Sequence, residues 1–231
     1  MTSSSPVGET PKIVDSGELE RTPSAGASVA ERIFAPILRL GVDGFGPFKG
    51  AEESARAALS GGGTQDQAVR ALIRSHVAVA GAQGFVTNIG GLVTWPVSLP
   101  ANVGAAYLVQ SHLAASIAAV YGHDPHEEEV RSALLLCLLG NGATEVLKKV
   151  GVDVGKKLAM TAIKRLPIEV IYAINRKVGF ALLAKYGTKR SAVTLAKGVP
   201  LVGGVVGGSV DAVSTRAVGA FAKGTFAPGA T

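Results

Sequence analysis

The chain has 231 residues, a net charge of +6 and a mean hydropathy of +0.33; 47% of it is hydrophobic, 17% charged and 5% aromatic. It is long enough for one sizeable core. Its charge content lies below the roughly 25% of ordinary soluble domains, and with so few aromatics that core has to be built from Ala, Val, Leu, Ile and Gly. The single cysteine, Cys137, excludes an intramolecular disulfide framework and a cysteine zinc site.

Residues 1–28 are rich in Ser, Thr, Pro, Gly and Glu and have little to bury, so they read as a disordered tail. They contain no apolar segment and carry acids, which is unlike a secretory signal. A cytoplasmic chain, peripheral to the inner membrane at most, is the expectation. A helix is predicted from Ser28 through Val29, Ile33 and Phe34 towards Leu38 and Leu40, before a glycine-punctuated loop around Pro47. Helical pattern resumes at Ala51-Glu52-Glu53 and stops at Gly61-Gly62-Gly63. The next helix starts near Gln65, with Val69, Leu72, Ile73 and His76 or Val77 at helical spacing.

Between Ser75 and His123 there is no Asp, Glu, Lys or Arg. The run is long enough for two membrane spans, but Gly90-Gly91, Trp95-Pro96 and Leu99-Pro100 are expected to break it. Residues 101–121 are apolar on nearly every side and read as a central hydrophobic helix in a helical hairpin. Asp124-Pro125-His126-Glu127 has the acceptor, proline and glutamate of a helix start. That helix carries Val130 and Leu134 to Leu139, with Cys137 as a buried, inert thiol, and ends at Gly140-Asn141-Gly142. Helices are expected over 143–150, 153–166 and 168–186, with Gly187 as a stop and Thr188 capping a short helix to Ala196. A glycine-rich helix closes the chain.

The candidate sites are few. Gly203 and Gly207, and Gly204 and Gly208, are four apart and form a flat face suited to close helix packing. Between Glu145 and Lys197 twelve Lys and Arg stand against Glu145, Asp153 and Glu169. Lys148-Lys149, Lys156-Lys157 and Lys164-Arg165 recur every eight residues as a cationic ridge, either a solvated face or an attractor of anionic lipid headgroups. Nucleic acid is not expected, because a reader motif and stacking aromatics are missing. His112, Asn175 and Asp211 are predicted as buried polar groups. No residue spacing matches a nucleotide loop, a serine-hydrolase elbow or a metal site, so no cofactor and no metal are expected.

Four segments taken together resemble the EcsC protein family over residues 36–226: "GVDGFGPFKGAEESARAAL", "GFVTNIGGLVTWPVSLPANV" leading to "AASIAAVYGHD", "AINRKVGFALLAKYG", and "VPLVGGVVGGSVDAVSTRAVG". The resemblance implies a bacterial helical domain, with the namesake encoded beside an ABC transporter, and carries no established catalytic activity. It adds Lys185 to Asn175 and Asp211 as positions to test. The expected architecture is all-α: a single glycine-rich helical bundle over 29–226, with a tail before it and a flexible end at 227–231. The expected role is non-enzymatic, a membrane-peripheral protein binding lipid or a membrane partner such as a transporter through the ridge and an apolar glycine-lined surface. The alternatives are a soluble scaffold with these segments buried, and a hydrolase-type enzyme around His112 and Asp211.

Overall fold

The computed structural model describes residues 25–44, 49–89, 95–152, 158–196 and 202–229; within these the side chains of 25–33, 85–89, 95–103, 185–196, 202–204 and 206 are left aside. The described residues are helical, with no strand among them. The order is α1 (Ala25–Asp43), α2 (Ala51–Leu59), α3 (Gln65–Ile89), α4 (Trp95–Val120), α5 (Glu128–Leu139), a 3-10 turn (Gly140–Gly142), α6 (Ala143–Lys149), α7 (Met160–Ile163), α8 (Ile168–Ala196) and α9 (Val202–Phe226).

The fold is built around α4. From Leu113 to Ala118 it is covered on every side, Leu113, Ala114, Ala115, Ser116, Ile117 and Ala118 all having no exposed surface. Small residues make this feasible: with Ala and Ser around the helix, neighbours approach from all directions. Helices α1, α2, α3, α5 and α9 all pack against it. The central hydrophobic helix is therefore present, and its second half is covered by protein.

The outer helices follow the spacing rules. In α2, Ala51 and Ala55 face inward four residues apart, while Glu52 pairs with Arg56 on the solvent side. In α8, Ile171, Ile174, Val178 and Leu182 form one fully buried stripe against α5 and α1. Each such Leu or Ile contributes about 1.5–3 kcal/mol on leaving water. Cys137 is fully buried among them, and burial pushes its thiol up to about 12, so it behaves as an inert core residue.

The most extensive pairing joins α3 to α9. Its tight point is Gly84, where a Cβ would lie 3.0 Å from the Gly207 carbonyl oxygen, 3.0 Å from the Gly208 Cα and 2.5 Å from Asp211 Oδ2. The flat glycine face of α9 thus meets a backbone, with Gly207 and Gly208 buried. Gly203 and Gly204 lie in the first turn of the same helix.

Several boundaries differ from expectation. Helix α4 runs unbroken through Pro96 and Pro100: Pro96 falls in the first turn, where its missing donor would have no helical partner, and Pro100, the sixth residue, removes one backbone hydrogen bond near the helix start. Gly90 and Gly91 lie outside the described residues. Asp124 does accept from a backbone N–H, that of His126 at 2.8 Å, but this closes a turn; α5 begins four residues later with Glu127 at its cap. Helix α8 continues through Gly187 to Ala196, since one glycine costs only about 1 kcal/mol in a long helix. Of the helix expected over 153–166, α7 (Met160–Ile163) is what the described residues contain, and 153–157 lie outside them.

Candidate functional site

The first four helices line a half-open apolar cavity of about 500 Å³. Its wall comes from Leu40 of α1, from Ala57 and Ala58 of α2, from Ala71, Leu72 and Val79 of α3, and from Leu108 and Val109 of α4. Leu40 and Val79 are about 40% exposed, so this wall reaches the surface. Among the described residues, the polar groups that line it are Lys49, Ser54, Ser75, His76 and His112, of which Lys49 is the one with a formal charge.

His112 is the most constrained of these. Its Nδ1 lies 2.8 Å from the carbonyl oxygen of Gly41, which can only accept, so Nδ1 carries the proton. In the neutral ring Nε2 is then an acceptor, and Ser54 Oγ stands 3.2 Å from it. Burial disfavours the imidazolium and lowers the pKa of His112, against the raising effect of the Gly41 hydrogen bond. The carbonyl can sit there because α1 and α4 touch at Gly41, where a Cβ would collide with Ser111 and come within 3.0 Å of the His112 amide nitrogen.

His76 repeats the arrangement one helix away. Its Nδ1 is 2.8 Å from the Leu72 carbonyl oxygen, and its ring stacks on His112 with centroids 5.2 Å apart. Burial, followed by the neighbouring His112, holds its pKa down to about 4, again opposed by the backbone hydrogen bond. Two neutral imidazoles, each with its tautomer fixed by a carbonyl, therefore face an apolar space.

The other sequence-predicted positions lie elsewhere. Asn175 on α8 accepts from Ser132 Oγ at 2.7 Å and donates to Glu128 Oε1 at 3.0 Å, lining a second cavity of about 480 Å³ with Phe34, Arg131 and Arg176. Asp211 is half-buried against Gly84 at the α3–α9 contact. His112 and Asn175 line different cavities. His112 is buried, whereas Asn175 and Asp211 are partly exposed.

Lys148 and Lys149 are exposed at the end of α6, and Lys164 and Arg165 just beyond α7. Lys164 Nζ is 2.7 Å from Glu127 Oε2, so part of its charge is neutralised. Lys156, Lys157 and the Lys185 side chain lie outside the described residues. Glu52, Asp124 and His126 bring ligand atoms within 4.8 Å of one another, but all three are exposed and form no enclosed cage.

Sequence reasoning missed Ser54, His76 and the Gly41 carbonyl. Ser54 looks like an ordinary polar residue of an amphipathic helix, and His76 lies on the same helical face as Leu72. A carbonyl partner has no side-chain signature. The available signal was His112 itself, a polar residue in an otherwise apolar helix.

Among the described residues, one helical run, Glu128–Lys149, is long and apolar enough to cross a membrane by length and composition, and more than half of its apolar window is buried inside the protein. No curated protein and no solved structure matches the chain. The model of the EcsC protein family matches residues 55–227, a span that contains His76 and His112 and begins one residue after Ser54. The chain belongs to the EcsC protein family.

Proposed function

We propose that the chain is a membrane-peripheral helical protein that takes the acyl chain of an anionic amphiphile into the cavity lined by α1–α4. The observation that carries this reading is the lining of that cavity: apolar over most of its wall, with the Lys49 ammonium as the one formal charge among its described lining residues. Its volume of about 500 Å³ falls in the range of small-ligand sites. Lys49 now pairs with Glu53 at 2.6 Å, both side chains at least half exposed. Such an exposed pair is worth at most about 1 kcal/mol, so a headgroup carboxylate or phosphate displaces Glu53 at little cost.

Attraction to a membrane is supported by the basic pairs. Roughly 1 kcal/mol is available for each Lys or Arg held near an anionic surface, and Lys148, Lys149 and Arg165 are exposed. The apolar part of the expectation moves, however. The described glycine face of α9 is occupied by α3, and the 107–120 stretch is almost wholly covered. The scaffold alternative draws on this coverage. It leaves the α1–α4 cavity without an occupant.

The test is binding of a fluorescent fatty acid, cis-parinaric acid, together with sedimentation on vesicles containing phosphatidylglycerol. Ala71, exposed and in the cavity wall, gives the control: Ala71→Phe fills the space from its open side and is expected to lower parinarate affinity at least tenfold. Unchanged affinity in Ala71→Phe places the fatty acid elsewhere. Failure of the wild type to sediment with anionic vesicles at low salt removes the membrane part.

A further inference from the structure

We propose that Ser54 and His112 form a nucleophile–base pair that cleaves carboxylic esters whose acyl chain occupies the α1–α4 cavity. The inference rests on reading that cavity as an acyl site and adds a reaction to it. A serine hydroxyl is a poor nucleophile unless an adjacent base takes its proton, and the base works best when a third group fixes its tautomer and direction. All three parts are present. Ser54 Oγ is 3.2 Å from His112 Nε2, and the opposite nitrogen donates to the Gly41 carbonyl at 2.8 Å. The serine comes from α2, the base from α4 and the orienting oxygen from α1, so the arrangement is made by tertiary packing.

The surroundings suit the chemistry. Burial keeps His112 uncharged near neutral pH, the form that accepts a proton. Ser54 is the fourth residue of α2, whose N-cap, Gly50, has no side-chain cap bond; the partial positive charge of that helix end favours a developing alkoxide. Lys49 lines the same cavity and is the group available to the carbonyl oxygen as it gains charge. Leu72, Val79, Leu108 and Val109 offer the acyl chain an apolar wall.

The reaction balances without a cofactor. Ser54 Oγ bonds to the ester carbonyl carbon while its proton passes to His112 Nε2. Collapse of the tetrahedral adduct breaks the bond to the alcohol oxygen, which leaves with that proton. Water, losing a proton to Nε2, then attacks the acyl-serine and releases the carboxylic acid, and Ser54 recovers its hydrogen. The orienting group is an uncharged carbonyl instead of a carboxylate, so the imidazolium intermediate has no anionic partner there. Slow turnover follows from that.

The experiment uses the full chain with a decyl fluorophosphonate probe, p-nitrophenyl decanoate as substrate, and cis-parinaric acid as a binding ligand that cannot be cleaved. One label per chain on the Ser54 peptide is expected, with ester hydrolysis abolished in Ser54→Ala. In His112→Asn, whose amide nitrogen stands where Nδ1 does and can still donate to the Gly41 carbonyl, hydrolysis is expected to fall by roughly 10²–10⁴-fold, the usual worth of a general base. Ser60, exposed and bonded to the Ala57 carbonyl, supplies Ser60→Ala as a control that keeps label and rate. Absence of label, label on another serine, or hydrolysis that survives Ser54→Ala overturns the proposal. Parinarate binding by the wild type without label or turnover overturns the reaction and leaves the acyl site standing; loss of both overturns the two together. Thermal melts of each variant establish that it is folded, and Ser54→Ala keeps the test decisive should His112→Asn unfold.

Discussion

The imidazole rings of His76 and His112 stack with their centroids 5.2 Å apart and their planes inclined by 29°, and each ring commits its Nδ1 to a carbonyl oxygen at 2.8 Å. Neither ring is easily protonated there, because burial leaves the charge poorly solvated and a second charge would lie directly against the first.

A pH dependence follows for His76. Its folded pKa of about 4 lies below the ordinary 6.5, so between those values the unfolded chain binds more protons than the folded one. Stability is unaffected above about pH 6.5 and falls as the pH drops towards 4, by up to about 3 kcal/mol for the full shift. Carboxylates titrate in the lower part of this window too, so the diagnostic quantity is a difference. Urea unfolding of wild type and His76→Gln at pH 7.5, 6, 5 and 4.5 is expected to show a steeper loss in the wild type. Parallel curves would mean that His76 titrates normally.

The α3–α9 contact makes a sharper steric prediction. At Gly84 an added methyl meets two backbone atoms at 3.0 Å, and backbone cannot step aside as a side-chain end can. Gly84→Ala is expected to destabilise by about 1–3 kcal/mol through overpacking, even after the ~1 kcal/mol that alanine gains over glycine in a helix. Gly224, also helical, has nothing within 4 Å of the same position. There Gly224→Ala is expected to be neutral or to stabilise by up to about 1 kcal/mol. Chemical denaturation of the two variants gives opposite signs if the close approach is real.

How much was legible in the sequence follows from the range of the forces involved. Local signals read well: the Gly61–Gly63 stop, the Gln65 start and the buried stretch around Ile117 all stand where spacing and composition put them. Proline inside α4 and glycine inside α8 misled, because a helix accepts proline in its first turn, and a long one absorbs a single lost hydrogen bond or an isolated glycine. The cavity was not legible at all. It depends on Gly41, Ser54, His76 and His112, which lie on four helices, and each looks ordinary in its own segment. Asp211 reads as a buried polar group in the sequence, and it sits half-buried at a helix contact.

The Ser132–Asn175–Glu128 chain links α5 to α8. Ser132 has no exposed surface, and its hydroxyl donates to Asn175 Oδ1 at 2.7 Å. Asn175→Ala strands that hydroxyl in the core, a cost of about 1–3 kcal/mol. Ser132→Ala alone removes one hydrogen bond and leaves the amide able to reach Glu128 at 3.0 Å, for about 1 kcal/mol. The double variant is expected to cost less than the sum of the singles, with a coupling of at least about 0.5 kcal/mol in a double-mutant cycle. Strict additivity would show that the two side chains do not act together.

The two basic pairs differ in what holds their charges, and vesicle binding reads the difference. Lys148 and Lys149 are exposed at the end of α6, whereas Lys164 already spends part of its field on Glu127 at 2.7 Å. At roughly 1 kcal/mol per basic residue near an anionic surface, Lys148→Gln with Lys149→Gln is expected to weaken partitioning onto phosphatidylglycerol vesicles by about 30-fold at low salt. Lys164→Gln with Arg165→Gln is expected to cost less, because Lys164 is held on Glu127 and reaches the headgroups only by giving up that contact. Raising the salt to about 1 M shrinks the screening length to ~3 Å and brings all variants to the wild-type level. Equal losses for the two pairs would show that the Glu127 contact is broken at the membrane; no loss in either places the membrane-facing charge elsewhere on the chain.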